Sequence, residues 1–310
     1  MMLFGGVIFM RFKQFWELAE VYTAPLNLFL ILLGAAYAHF QYDVRLNVSF
    51  VIYTLTILMF HLAVNIFNNY MDYRNASDEH AYKEKTNIIG RDHLSLTVVR
   101  RYFIFFMLLS TLLGFILIQL TSFWLLFPGI LGFYVGLFYS AGPRPLNSLP
   151  IAETVTALAS GYFVPLVALY VLLDPSSIPF TASMAGQFLV VCLPLVMMMF
   201  NNLLANNTCD LAEDIVNNRK TLVYYIGKLR AVKLLKVNFI ASFLLFPFLV
   251  LLGWIPWPVL GLGLLLPYAI RKLQPYFSSQ NKKTTFPIVL KTMSIVMVGY
   301  PSLFLFGLLF

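Results

Sequence analysis

Long apolar runs, each closed by a short polar stretch, follow one another along most of this chain. Nine of them read as spans: 22–40, 48–67, 102–120, 122–140, 152–173, 186–205, 234–253, 255–270 and 286–308. Most approach the roughly 20 residues that a helix needs to cross a bilayer. None shows the two-residue alternation of a membrane barrel strand. Helices satisfy every backbone polar group internally, so the expected fold is all-α, a polytopic membrane protein of nine transmembrane helices. The run at 255–270 is short and contains Pro256, Pro258 and Pro267, which predicts a kink or tilt. The runs at 102–120 and 122–140 are joined by "QLTSFW" alone, which predicts a tight helical hairpin. The stretch "MRFKQFWELAEVYTAP" from Met10 reads as an amphipathic helix leading into the first span. Ahead of it, "MMLFGGVIFM" has no basic residue before its apolar part and does not read as a signal peptide. Met10 is an alternative translation start. The chain is expected to form one transmembrane domain, 1–310, with two pseudo-repeat halves at about 11–140 and 150–310.

Composition agrees. Of 310 residues, 60% are hydrophobic and 11% charged, against about a quarter charged in soluble proteins. The mean hydropathy is +0.81. When the nine spans alternate, 20 of the 21 Lys and Arg residues fall on one side and only Arg45 on the other. The positive-inside rule then places the N-terminus in the cytoplasm and the C-terminus outside, in a multi-pass protein of the plasma membrane. The net charge of +8 reflects this topology and an anionic lipid surface rather than nucleic-acid binding. Cys192 and Cys209 suggest neither a disulfide nor a thiolate metal site.

The candidate chemistry lies in the acids. Five of thirteen Asp and Glu residues lie between Asp72 and Asp92, and three more are Asp210, Glu213 and Asp214. Both groups follow an even-numbered span on the cytoplasmic side. The core "NNYMD" at 68–72 recurs as "NNTCD" at 206–210. A helix continuing past the second span would stack Asn65, Asn69 and Asp72 on one face, and one past the sixth would stack Asn206, Asp210 and Asp214. Like charges one turn apart repel unless a cation sits among them. Carboxylate and amide oxygens are hard donors suited to Mg²⁺ shared with substrate phosphates. Two acidic helix ends sharing Mg²⁺ and a diphosphate is the reading that follows. One cluster alone would fit a solvated loop or a helix cap. The same core closing two apolar runs favours a functional site, because polar groups at membrane depth are functional by default.

Lys85 and Arg91 follow the first cluster, and Arg219 and Lys220 the second; all four are candidates to grip phosphate oxygens. Arg144, in "YSAGPRPL", divides evenly between that role and a topology charge. Arg100, Arg101, Lys282 and Lys283 read as topology charges, and His61 as a packed residue.

The paired motifs resemble those of the UbiA superfamily of intramembrane aromatic prenyltransferases, and within it the 1,4-dihydroxy-2-naphthoate prenyltransferases of menaquinone synthesis. Asn68, Tyr70, Asp72 and Asp78 match that group's first motif. Asn206, Asn207, Asp210, Asp214, Thr221 and Leu222 match its second, and 139–146 resembles its Tyr-Ser-x-Gly-Pro-x-Pro-Leu stretch. The similarity runs along nearly the whole chain. Four positions depart from it: Asn69 stands for Asp, Ala76 for Gly, Cys209 for Arg, and "NNRKTL" lacks a Gly. An Asn69→Asp change is expected to be tolerated on this resemblance.

The resemblance implies a UbiA-like helical bundle with cytoplasmic cap loops and Mg²⁺-dependent transfer of a polyprenyl group from its diphosphate to an aromatic acid. With a naphthoate acceptor, the carboxylate is replaced and CO₂ and pyrophosphate leave, giving demethylmenaquinone. Asp72, Asp78, Asp210 and Asp214 would hold the metal, with Asn68, Asn69 and Asn206 as neutral ligands or their support. Lys85, Arg91 and Lys220 would contact the diphosphate, and Asn207, Arg144 and Arg219 belong to the same substrate-binding set. Asp72 and Asp210 would be essential to turnover, and the rings of Tyr70 and Tyr139 would stabilise an allylic cation. The partners implied are the two substrates and the lipid bilayer. The alternatives are another aromatic acceptor, or an ion-coupled transporter built on intramembrane acids.

Overall fold

The computed structural model describes residues 2–4, 7–75, 82–174 and 176–310. Two three-residue strands, β1 (Met2–Phe4) and β2 (Val7–Phe9), pair as an antiparallel hairpin with Met2 opposite Phe9. They are the only strands among the described residues, and the rest of the regular structure is helical. The helices are α1 (Phe12–Leu18), α2 (Ala24–Tyr42), α3 (Val48–Asn75), α4 (Ile88–Arg91), α5 (Leu96–Leu120) and α6 (Leu126–Phe138). They continue with α7 (Ala152–Leu158), α8 (Val164–Tyr170), α9 (Ala182–Val216), α10 (Leu222–Leu251), α11 (Leu266–Ser278) and α12 (Phe286–Gly307). A π-turn at Ala159–Phe163 joins α7 to α8 as one span.

Seven of these segments are long and apolar enough to cross a membrane: 21–42, 48–75, 96–120, 152–170, 182–216, 222–251 and 286–307. The other two expected spans are shorter or irregular. The run at 122–140 gives a 3₁₀ turn and the 13 residues of α6. The run at 255–270 begins as nine residues of 3₁₀ helix before α11. Pro128, Gly129 and Gly132 in the first, and Pro256, Pro258, Gly261 and Gly263 in the second, weaken regular α-helix at those places.

The two helices that carry the Asn-Asn-x-x-Asp sequences outrun the hydrocarbon, and this places the polar motifs. At 1.5 Å per residue, the 35 residues of α9 extend about 52 Å and the 28 of α3 about 42 Å. A bilayer core is about 30 Å thick. The Asn-Asn-x-x-Asp sequences lie on the helical extensions beyond the apolar runs, so the one-face stacking expected of them holds.

The chain forms two compact units, one of residues 1–27 and 48–145, the other of 28–47 and 146–310. In the first, α3 packs along α5, where Ser110 Oγ donates to the Thr56 carbonyl at 3.1 Å and Phe67 stacks on Phe103. Gly136 admits α6 to α3, since a Cβ there would lie 2.7 Å from the Phe60 ring. Leu18, Ala19, Ile66, Ile88, Ile89 and Val99 make a buried cluster that joins α1, α3, α4 and α5. In the second unit, α9 is the central helix, touched by α7, α10 and α12. Gly34 meets α8 so closely that a Cβ would fall 2.2 Å from the Pro165 carbonyl oxygen. Tyr300 Oη donates to the Val191 carbonyl at 3.0 Å.

Candidate active site

In the first unit the acidic end of α3 is tied down by its own amides. Asn69 Nδ2 donates to the Leu18 carbonyl at 3.1 Å and the Asn65 carbonyl at 3.2 Å. The Asn69 carbonyl accepts from Asn87 Nδ2 at 3.0 Å, and Asn87 Oδ1 caps α4 by accepting from the Ile89 N–H. Asn69 thus joins the end of α1, α3 and the start of α4. Asn68 Oδ1 accepts from Ser140 Oγ at 2.8 Å, which binds the first motif to the "YSAGPRPL" loop. Gly142 in that loop has φ +99°, a left-handed conformation that glycine adopts without strain. Tyr139 ends α6, and Arg144 is exposed beyond it. Asp72 is half-buried on the last turns of α3, and the Arg74 guanidinium lies 5.9 Å from the Tyr70 ring centre. Burial, the largest cause, and the Asp72 charge push the Glu20 carboxyl above its usual range, while the Asn69 amide opposes them.

Arg91 and His61 make contacts that sequence alone does not show. Arg91 directs both terminal nitrogens to the Glu17 carboxylate, at 2.7 and 2.9 Å, and Nε to Asp92 at 2.9 Å. Its fork is already filled by carboxylates, so Arg91 clamps α4 to α1 rather than standing open to a phosphate. Burial alone would raise the Asp92 carboxyl, but hydrogen bonds from Arg91 and Gln14 hold it below its ordinary value. His61, read as a packed residue, sits in a polar cage. Asn27 Nδ2 lies 2.9 Å from its Nδ1, and Thr23 Oγ1 lies 3.1 Å from its Nε2. Lys85 is exposed in the π-turn at Tyr82–Thr86. Asp78 and Ala76 lie outside the described residues.

In the second unit the motif on α9 is drawn together. Asn206 Nδ2 donates to Asp210 Oδ2 at 3.1 Å, one turn on. Lys282 Nζ, read from the sequence as a topology charge, donates to both Asp210 Oδ2 and Asn206 Oδ1. Asn207 Nδ2 donates to Glu153 Oε1 at 2.8 Å, and Glu153 is 0% exposed. Asp214, one turn beyond Asp210, is 5% exposed, and its Oδ2 has no hydrogen-bond partner. The Arg219 N–H caps the end of α9 on the Asp214 carbonyl at 2.8 Å. The Lys220 N–H donates to the Ser148 carbonyl at 3.0 Å, and its ammonium lies 5.7 Å from the Tyr224 ring centre.

Sequence reasoning missed Glu153 and Lys282. No spacing rule could have found them, since their partners lie 54 and 72 residues away. A buried acid at the start of an apolar span was the one available signal for Glu153.

The donor set suits a magnesium ion. Among the described residues, no three His, Cys, Asp or Glu side chains converge into a metal cage. Mg²⁺ does not need one, since it is usually bound through one or two carboxylates plus substrate phosphates and water. The Asp210 carboxylate, the Asn206 amide oxygen and the orphaned Asp214 Oδ2 are hard oxygen donors on one face of one helix. A buried carboxylate oxygen without a partner is costly, and a cation would satisfy it.

Known proteins resemble the chain along most of its length. The chain is 26% identical over 238 residues to the 1,4-dihydroxy-2-naphthoate octaprenyltransferase of Bacillus subtilis strain 168, covering 77% of this chain and 74% of that one. An apo structure of a UbiA homologue from Aeropyrum pernix K1 superposes with a TM-score of 0.67 at 13% identity, covering 90% of this chain and 97% of that one. A UbiA homologue from Archaeoglobus fulgidus, described as bound to DMAPP and Mg²⁺, gives a TM-score of 0.60 at 12% identity over 94% and 99% of the two chains. The family model of the UbiA prenyltransferases matches residues 4–295, nearly the whole chain. The chain therefore belongs to the UbiA prenyltransferase family, and it is a multi-pass membrane enzyme that transfers prenyl groups.

Proposed function

We propose that this enzyme transfers a polyprenyl group from polyprenyl diphosphate to 1,4-dihydroxy-2-naphthoate, releasing CO₂ and pyrophosphate and forming demethylmenaquinone. The observation that carries the metal-diphosphate part of this reading is the arrangement on α9, where Asn206 and Asp210 point oxygens at one cation with Asp214 one turn beyond. The acceptor is supported by the Bacillus relative, which is named for this substrate and resembles three quarters of the chain. Magnesium is supported by the Archaeoglobus homologue described with DMAPP and Mg²⁺.

Asp72 and Asp78 from the first motif, and Asp210 and Asp214 from the second, are assigned to hold Mg²⁺, with Asn206 as a neutral oxygen donor. Bound there, magnesium supplies charge neutralisation that makes the diphosphate a better leaving group. Asn68 and Asn69 serve as supports, because their side chains are engaged with Ser140 and with backbone carbonyls. Lys85, Arg144, Arg219 and Lys220 are assigned to the diphosphate oxygens, which need several positive charges near the membrane surface. Asn207 is a positioning group held by Glu153. As the allylic C–O bond breaks, its electron pair goes to the diphosphate. The rings of Tyr70 and Tyr139 face the resulting positive charge. The acceptor ring then forms the new C–C bond at the carbon that carried the carboxylate, and CO₂ leaves with the ring regaining that electron pair. The lopsided Lys and Arg distribution supports a plasma-membrane protein with both motifs on the cytoplasmic side.

A second acceptor is favoured by one observation. Cys209, half-buried beside Asp210, stands where naphthoate enzymes resemble one another in having Arg, and the change removes a contact for an acid. The test is direct. Purified protein is incubated with Mg²⁺, a polyprenyl diphosphate and each of several aromatic acids, and products are identified by mass. A decarboxylated prenyl-naphthoquinol supports the proposal. Product from 4-hydroxybenzoate alone overturns the acceptor but keeps the reaction class.

A further inference from the structure

We propose that Lys282 is the resident counter-cation of the second acidic motif: it holds the Asn206 and Asp210 oxygens until a divalent ion takes them, and the displaced ammonium then binds the diphosphate. This rests on the reading that places the metal at Asp210. Three groups converge on the one ammonium. Asn206 Oδ1 lies at 2.5 Å, Asp210 Oδ2 makes the ion pair, and the Phe286 ring centre lies at 5.0 Å. Asn206 is oriented for this, since its Nδ2 donates to the same Asp210 oxygen and its Oδ1 is left to face the lysine.

A lysine on an exposed flexible loop would make a weak and interchangeable ion pair. The loop here is built. Asn281 Oδ1 accepts from the Lys283 N–H at 2.9 Å and the Thr284 N–H at 3.0 Å, forming an Asx turn around residue 282. Thr285 Oγ1 accepts from the Asn281 N–H at 2.8 Å and donates to the Ser279 carbonyl at 2.9 Å, closing the loop onto the end of α11. The Asp210 side chain is 19% exposed, so its charge needs a close partner, while Lys282 at 47% keeps a path to water. An ammonium and a divalent cation cannot share the same two oxygens. The entering ion therefore displaces the lysine, and the lysine's positive charge becomes free for the anion that accompanies the metal. Lysine suits such an exchange, being a compact charge on a flexible stem with rotatable donors.

The experiment measures metal binding and catalysis separately. Mn²⁺ alone, without diphosphate, is titrated calorimetrically into the full chain in detergent, using wild type, Lys282→Met, Lys282→Arg and Asp210→Ala. Lys282→Met is expected to bind Mn²⁺ about tenfold more tightly, because the competing cation is gone. The same variant is expected to raise KM for polyprenyl diphosphate about tenfold, more than it lowers kcat, and Lys282→Arg to restore most of that KM. Equal or weaker Mn²⁺ binding by Lys282→Met, or an unchanged KM, overturns the exchange. Unchanged Mn²⁺ binding by Asp210→Ala overturns instead the placing of the metal at Asp210.

Discussion

The side-chain amide of Asn207 donates to the Glu153 carboxylate at 2.8 Å, across 54 residues of sequence. One buried acid thereby ties the start of α7 to the motif on α9. Replacing Glu153 with Ala leaves the half-buried Asn207 amide without this acceptor. It is expected to cost about 1–3 kcal/mol of stability and to reduce turnover. Glu153→Gln keeps an acceptor oxygen and should lose far less. Thermal unfolding in detergent alongside turnover checks both, and an Ala variant that melts like wild type would remove the role given to Glu153.

Asn69 yields a prediction opposite to the one its sequence resemblance invites. An aspartate has no N–H to give to the Leu18 and Asn65 carbonyls, and it would place a third carboxylate beside Glu20 and Asp72. Asn69→Asp is expected to lower stability by about 1–3 kcal/mol, while Asn69→Gln retains a donor and loses less. The melting temperatures of the two variants decide this.

Arg91 is expected to behave as a clamp. It and Glu17 are about 40% exposed, so the bidentate pair is worth about 0.5–1 kcal/mol, and Arg91→Ala should show that loss in a melt. KM for the diphosphate should stay close to wild type. A tenfold rise would return Arg91 to the substrate.

Asp72→Ala and Asp210→Ala should each lower turnover about a hundredfold or more while the protein still inserts and folds. Chelating divalent ions from the wild type should have the same effect, reversed by adding Mg²⁺. Full activity in both variants would overturn the metal reading proposed above.

Much of the fold can be read from the apolar runs, because a bilayer demands a nearly fixed length of apolar helix. The runs at 48–67 and 186–205 marked α3 and α9 well, and the amide and acid spacing beyond them showed that the helices continue to Asn75 and Val216. The Gly- and Pro-rich runs at 122–140 and 255–270 were harder, since hydropathy is blind to backbone conformation and these segments form 3₁₀ turns and shorter helices. At the site, Asp210 and Asn206 were legible because their pairing is one helical turn. Lys282, Glu153 and the Arg91–Glu17 clamp were not, because each depends on tertiary contacts between segments 54 to 74 residues apart.

The ammonium of Lys282 on Asp210 also bears on how such a protein is made. An acidic helix end emerging at a lipid surface would otherwise arrive as unbalanced negative charge. Because the polypeptide brings a counter-charge of its own, on the short turn before its last long helix, assembly of this end need not await any free ion. On the metal reading proposed above, biogenesis and catalysis draw on different cations, one encoded and one acquired.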